Sequence, residues 1–164
     1  MTDTVMAEGE KAQGGRWRAD SSVTTHVGVW VIDSETRRPI RSVVVDDDRD
    51  FRMLVRIWME RILPIRYEVV GEAGSGEECL DLVDRLNPDL VLLDLTMPRT
   101  NSYDLIEQMR AIHPNTDIVV LSGFDADRVE AQVLAKGAIG YLEKCADIEY
   151  LRERLDRMVG LPAV

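Results

Sequence analysis

From Ser42 to the end of the chain, short runs of Val, Ile and Leu alternate with stretches in which apolar residues recur every three or four positions. The short runs predict strands at Ser42 to Asp46, Tyr67 to Ala73, Leu90 to Asp94, Ile118 to Ser122 and Ile139 to Glu143. Most are continuously apolar, the pattern of strands covered on both faces. The intervening stretches predict amphipathic helices: Phe51, Leu54, Val55, Trp58 and Ile62 share one helical face, as do Leu105, Met109 and Ile112, and Ile148, Leu151, Leu155 and Met158. Helix boundaries are expected at Asp50 before the first helix, at Ser75 with Glu78 three residues on, at Asn87-Pro88 and at His113-Pro114. Five strand–helix units in about 123 residues predict an α/β domain with an open, doubly wound, five-stranded parallel sheet and helices on both faces.

The region before Ser42 behaves differently. Met1 to about Ser22 is polar and rich in Gly, Ala, Asp and Glu, so it has little apolar surface to bury and reads as disordered. HVGVWVID, residues 26–33, is strand-like and precedes turn residues, which leaves two readings open: an additional strand, or a flexible leader. The expected organisation is therefore an N-terminal extension over 1–41, one domain over 42–160 and a short tail, 161–164.

Charge sharpens that division. Residues 1–41 hold six Lys/Arg and six Asp/Glu, whereas the rest holds 14 against 24 and carries the whole net charge of −10. Such acidity argues against direct binding to nucleic acid or to an anionic membrane. Two cysteines, Cys79 and Cys145, are too few for a disulfide framework and lack metal-ligand spacing, which suits a reducing compartment. With no apolar run of membrane-spanning length and no signal-peptide core, the expected location is cytoplasmic.

Ligands of doubly wound sheets bind outside the carboxyl ends of the strands. Four strands here end in polar groups: Asp46-Asp47-Asp48, Asp94, Ser122-Gly123 and Glu143-Lys144. With strand order 2-1-3-4-5 the first two acidic ends would meet in one pocket flanked by Ser122 and Lys144. Clustered carboxylates are held ionised together by a hard cation with oxygen ligands, for which Mg2+ is the natural candidate. Asp94 would then face a phosphoryl donor as a nucleophile, with Lys144 and Ser122 stabilising charge on the phosphoryl oxygens. Taken singly, each residue also has a plain reading, as a helix cap, a turn residue or a surface lysine.

The segments VVVDDDRDFR, NPDLVLLDLTMP, IVVLSG and GAIGYLEK together resemble a two-component response-regulator receiver domain over about residues 42–160. The resemblance implies the flavodoxin-like order 2-1-3-4-5 and transfer of phosphate from a histidine kinase to Asp94. It also implies Asp47 as a direct Mg2+ ligand, Asp46 acting largely through metal-bound water, and the Thr96 backbone carbonyl completing the protein's share. Ser122 becomes the switch hydroxyl, Lys144 the phosphate-binding lysine and Tyr141 the aromatic that moves inward on activation. Asp48 is left as a bystander. Signalling would pass to a downstream protein, or to a second copy through helix four, strand five and helix five.

The sequence departs from the family pattern in several places. Asn101-Ser102 replaces the usual Asp-Gly, so a turn normally eased by Gly is expected to be altered. Cys145 stands where a proline often follows the lysine, a departure shared by receivers attached to helix-turn-helix effectors. Thr96 and Phe124 occupy positions that in the family govern water access to the phosphoryl group, which implies an unusual phosphoryl lifetime. Two other function classes are carried: a receiver-like scaffold that works without phosphorylation, and a haloacid-dehalogenase-type phosphatase built on Asp46 and Asp48, for which Asp94 has no role.

Overall fold

The computed structural model describes residues 38–62, 66–123, 126–144 and 148–161. The expected extension up to residue 37, its possible strand at 26–33, Phe124, Cys145 and residues 162–164 lie outside them. Strands β1 (Ile40–Val45), β2 (Tyr67–Ala73), β3 (Leu90–Leu93), β4 (Asp117–Ser122) and β5 (Gly140–Glu143) alternate with helices α1 (Arg49–Ile57), α2 (Gly76–Leu86), α3 (Ser102–Ile112), α4 (Ala126–Lys136) and α5 (Ile148–Met158). The sheet is wholly parallel in the order β2-β1-β3-β4-β5, as the sequence predicts. β1 opens at Ile40, two residues before the predicted start, and an irregularity between Ser42 and Val43 shifts its register on β2.

The continuous apolar runs are explained by two cores. Val43, Val45, Val91, Leu93, Ile118 and Val120 face one way, onto Cys79 and Val83 of α2, Leu105, Ile106 and Met109 of α3, and Val133 of α4. The alternate residues, Val44, Leu90, Leu92, Val119 and Leu121, face the other way, onto Val55 of α1 and Leu151 and Leu155 of α5. Successive side chains of a strand point to opposite faces, so a strand buried on both sides needs no polar alternation. Burial also pushes the Cys79 thiol up to about 12, which makes it an inert core residue.

Helix faces depart from the sequence reading in two places. Leu54 and Ile112, predicted to face the core, are exposed, and Met59 is fully buried instead. The buried side here is Val55, Trp58 and Met59, the last two in a π-helical turn, Trp58–Ile62, that follows α1, and Leu54 lies off that side. Ile112 closes the last turn of α3, beyond the reach of the sheet.

Caps set where each helix begins. α1 is capped by Asp48, not by Asp50: its Oδ1 accepts from the amides of Asp50 at 2.9 Å and Phe51 at 3.2 Å. At α2 the expected pairing is present, with Ser75 Oγ accepting from the Glu78 amide at 3.3 Å and the Glu78 carboxylate accepting from the Gly74 amide at 2.7 Å. Asn87 ends α2 in the left-handed region at φ 44°.

Candidate functional site

Register assembles the site. Val45 of β1 lies beside Leu93 of β3, so the residues that follow, Asp46 and Asp94, emerge side by side at the carboxyl ends of adjacent central strands. The Asp94 amide donates to the Val45 carbonyl at 2.8 Å and the Asp46 amide to the Ala73 carbonyl at 3.0 Å, which fixes both backbones. Both carboxylates are almost fully buried, each 2% exposed, whereas Asp47 is exposed.

Asp46, Asp47 and Asp94 each bring a carboxylate oxygen within 4.8 Å of the others. Oxygens around one octahedral Mg2+ stand about 2.9 Å apart when adjacent and about 4.1 Å when opposite, from metal–oxygen distances of about 2.0–2.1 Å. The three acids therefore fit a small, hard divalent cation with modest closure of their side chains.

Lys144 bridges two of them. Its Nζ lies 2.6 Å from Asp46 Oδ2 and 3.2 Å from Asp94 Oδ2, and it stands 4.5 Å from the centroid of the Phe51 ring. Burial raises the Asp46 carboxyl above its ordinary range, and the charge of Asp94 adds to this; the hydrogen bond from Lys144 and that from the Asp48 amide pull the other way. An acid whose folded pKa is raised binds more protons folded than unfolded, so its contribution to stability falls as pH rises from the ordinary Asp range to its own elevated value. Asp46→Asn is accordingly expected to raise the melting temperature at neutral pH, with the gain shrinking as the pH is lowered through that window. A melting series across acidic to neutral pH checks it, and a gain that is constant with pH would count against this origin.

Ser122 is fully buried at the end of β4, and its Oγ has no hydrogen-bond partner among the described residues. An orphaned buried hydroxyl costs about 1–3 kcal/mol, which a structure tolerates where the group is kept for a ligand. The Ser122 carbonyl accepts from the Lys144 amide at 2.9 Å and from the Tyr141 hydroxyl at 3.3 Å. Tyr141 is buried, with its hydroxyl on that carbonyl.

The structure also brings in groups and contacts beyond those the sequence predicts. The Thr96 hydroxyl lies 3.0 Å and 2.8 Å from the two Asp94 carboxylate oxygens, so this side chain, and not only its carbonyl, belongs to the site. Arg52 donates from Nη1 to the Asp46 carbonyl and holds Glu72 through Nε at 3.5 Å, bracing the acidic loop from α1. Ser102 is buried, with Oγ 3.0 Å from the Asp94 carbonyl and 3.1 Å from that of Leu95. A serine before a helix carries no distinctive sequence signal; only the chain's return from Met97 to α3 places it there. The loop expected to suffer from lack of Gly is unstrained at that point. Asn101 has φ −85° and caps α3, accepting from the Tyr103 amide at 3.2 Å and the Asp104 amide at 3.5 Å, while the left-handed residue is Arg99 at φ 60°.

Of three consecutive acids, then, Asp46 and Asp47 join Asp94 and Asp48 caps α1. Asp48→Ala is expected to cost about 1 kcal/mol of stability, the usual worth of a cap, and to leave divalent-cation binding intact. Asp47→Ala is expected to do the reverse. Urea unfolding and a cation titration of both variants separate the two roles.

The model of the response-regulator receiver domain matches residues 43–156. The chain belongs to this family. The receiver is 34% identical over 104 residues to the chemotaxis protein CheY of Thermotoga maritima, covering 63% of this chain and 84% of that protein. It is 35% identical over 116 residues to the transcriptional regulatory protein DegU of Brevibacillus brevis, covering 70% of this chain and 48% of DegU. The chain thus spans about half the length of that regulator. Among solved structures, the receiver domain of the response regulator NarL from Mycobacterium tuberculosis superposes with a TM-score of 0.66 at 31% identity, covering 76% of this chain and 99% of that one. Receivers of this family interact with histidine kinases and downstream effectors. No described helix is long and apolar enough to cross a membrane.

Proposed function

We propose that this receiver accepts a phosphoryl group on Asp94 from a histidine kinase, with Mg2+ as cofactor, and signals through a conformational switch to a protein partner in the cytoplasm. The observation that carries this reading is the buried Asp94 carboxylate inside a three-acid cluster, with Lys144 Nζ at 3.2 Å. One Asp94 oxygen attacks the phosphorus of the donor, the bond to the donor's leaving atom breaks, and an aspartyl phosphate forms. The cation, held by Asp46, Asp47, Asp94 and the Thr96 carbonyl, supplies neutralisation of the phosphoryl charge. Lys144 is free to turn from the carboxylates to a phosphoryl oxygen, and the orphaned Ser122 hydroxyl supplies a further donor.

The switch follows from the same atoms. When Ser122 moves toward the phosphoryl group, its carbonyl moves with it, and that carbonyl is bonded to Tyr141 and Lys144 at once. The displacement reaches β5 and the face made with α4 and α5, where a downstream protein or a second copy would read it.

Intact mass after incubation with acetyl phosphate tests the reading. One phosphoryl mass is expected in the natural chain with Mg2+, none after chelation, and none in Asp94→Ala. A folded chain that gains no mass from acetyl phosphate or from a panel of phosphorylated kinases would transfer the reading to a phosphorylation-independent scaffold. Phosphate-ester turnover that survives loss of Asp94 would favour the dehalogenase-type phosphatase.

A further inference from the structure

At the amino ends of the strands, the pole opposite the acidic cluster, the ends of α4 and α5 and the start of β5 enclose a groove of about 540 Å³. Its apolar lining is Leu134, Ala138, Ile139 and Val159, and Leu134 is 44% exposed in it. Arg110 and Arg157, against the single acid Asp117, leave it with net positive charge. The Arg110 stem lies against Gly137, whose φ of +111° and missing Cβ make room for it. Arg157 is exposed and has no ion-pair partner among the described residues. The volume falls within the roughly 300–1,000 Å³ of ordinary binding clefts.

We propose that this groove receives the chain's own N-terminal segment, Val27 to Ile32, with Asp33 and Glu35 supplying charge complementary to Arg110 and Arg157. Thirty-seven residues precede Arg38, and Val27-Gly28-Val29-Trp30-Val31-Ile32 is the one long apolar run among them. Where the segment joins the domain also favours the groove. Both terminal nitrogens of Arg38 hold Asp89 at the foot of β3, at 2.6 Å and 2.8 Å. The Asp117 amide in turn donates to the Asp89 carbonyl at 2.9 Å, and Asp117 borders the groove. From β1 to β5 is three strand spacings, about 14 Å. The five residues between Ile32 and Arg38 reach about 20 Å when extended. A run of apolar side chains followed at once by acids thus meets an apolar floor bordered by arginines within its reach. Seated there, the segment covers the lower end of the α4, β5 and α5 face.

Hydrogen exchange of the unphosphorylated protein tests this independently of any phosphoryl chemistry. The chains compared are the full chain, one lacking residues 1–33, and a full-length Val29→Asp, Val31→Asp variant that keeps the chain's length should the truncation perturb folding. Amides of residues 137–140 and 159–161 are expected to exchange about tenfold faster in both altered chains. A synthetic peptide of residues 24–37 is expected to restore their protection in the truncated chain, and Arg157→Glu to weaken that rescue. Equal exchange in all three chains would overturn the proposal. So would protection of the full chain that rises with its concentration, which would assign the groove to a second copy.

Discussion

Lys144→Ala is expected to slow phosphoryl uptake from acetyl phosphate by about 10²–10³-fold, the usual loss when one preorganised charge stabiliser is removed from a buried site. The expectation rests on an ammonium 2.6 Å from Asp46 and 3.2 Å from Asp94, both almost fully buried. The same substitution takes away the counter-ion of Asp46 and Asp94, so a divalent cation relieves more carboxylate repulsion when it binds. Two effects should therefore appear together: a slow mass gain at saturating Mg2+, and a steeper rise of melting temperature with added Mg2+ than in the natural chain. Lys144→Arg keeps the charge but not the compact ammonium and should fall between the two. Uptake at the natural rate in the alanine variant would reduce Lys144 to a counter-ion of the resting site.

The second large effect lies far from that site. Asp156→Ala is expected to destabilise the fold by about 3 kcal/mol, the cost of breaking a buried ion pair by removing one partner. Asp156 is 1% exposed on α5, accepts from the Tyr67 hydroxyl of β2 at 2.9 Å, pairs with Arg66 and has Arg152 Nη1 at 3.8 Å. Burial, with Asp156 beside it, pushes the Tyr67 hydroxyl well above its ordinary pKa, so the phenol remains a donor throughout the working range. Against a total stability of about 5–15 kcal/mol, such a loss should lower the melting temperature by about 10 °C. Tyr67→Phe removes one neutral donor to a charged acceptor and should cost about 1.5–3 kcal/mol. A cost below about 1 kcal/mol for Asp156→Ala would mean that water reaches the group once it is opened. Phosphoryl uptake should survive in both variants, because neither residue touches the acidic pocket.

Placement on the strands, more than any single residue, is what made the site legible. Asp46, Asp47, Asp94, Ser122 and Lys144 could be found because each follows a recognisable apolar run, and the carboxyl ends of such strands lie on one side of the sheet. Asp50 stands next to the helical period and so fits a cap by pattern, whereas the cap in the structure, Asp48, closes its loop through its own side chain. A run of acids offers several candidates for one cap, and only the loop's path chooses among them.

The receiver's five parallel strands and the acids, hydroxyl and lysine at their ends were determined by the sequence alone, because strands buried on both faces must be continuously apolar and short parallel crossovers leave few topologies, while their order came from the resemblance to receivers. Arg52 and Ser102, and the contact of the Thr96 hydroxyl with Asp94, entered the site only through tertiary structure. Their contacts join positions brought together by loop geometry, which has no period to read: Thr96 to both Asp94 oxygens, Arg52 to the Asp46 carbonyl, Ser102 to that of Asp94. The burial of Met59 and exposure of Leu54, the carbonyl shared by Tyr141 and Lys144, and the groove at the far pole were decided there too. Each depends on how one element packs against another, and packing is a property of distance in space, to which the order of residues along the chain is blind.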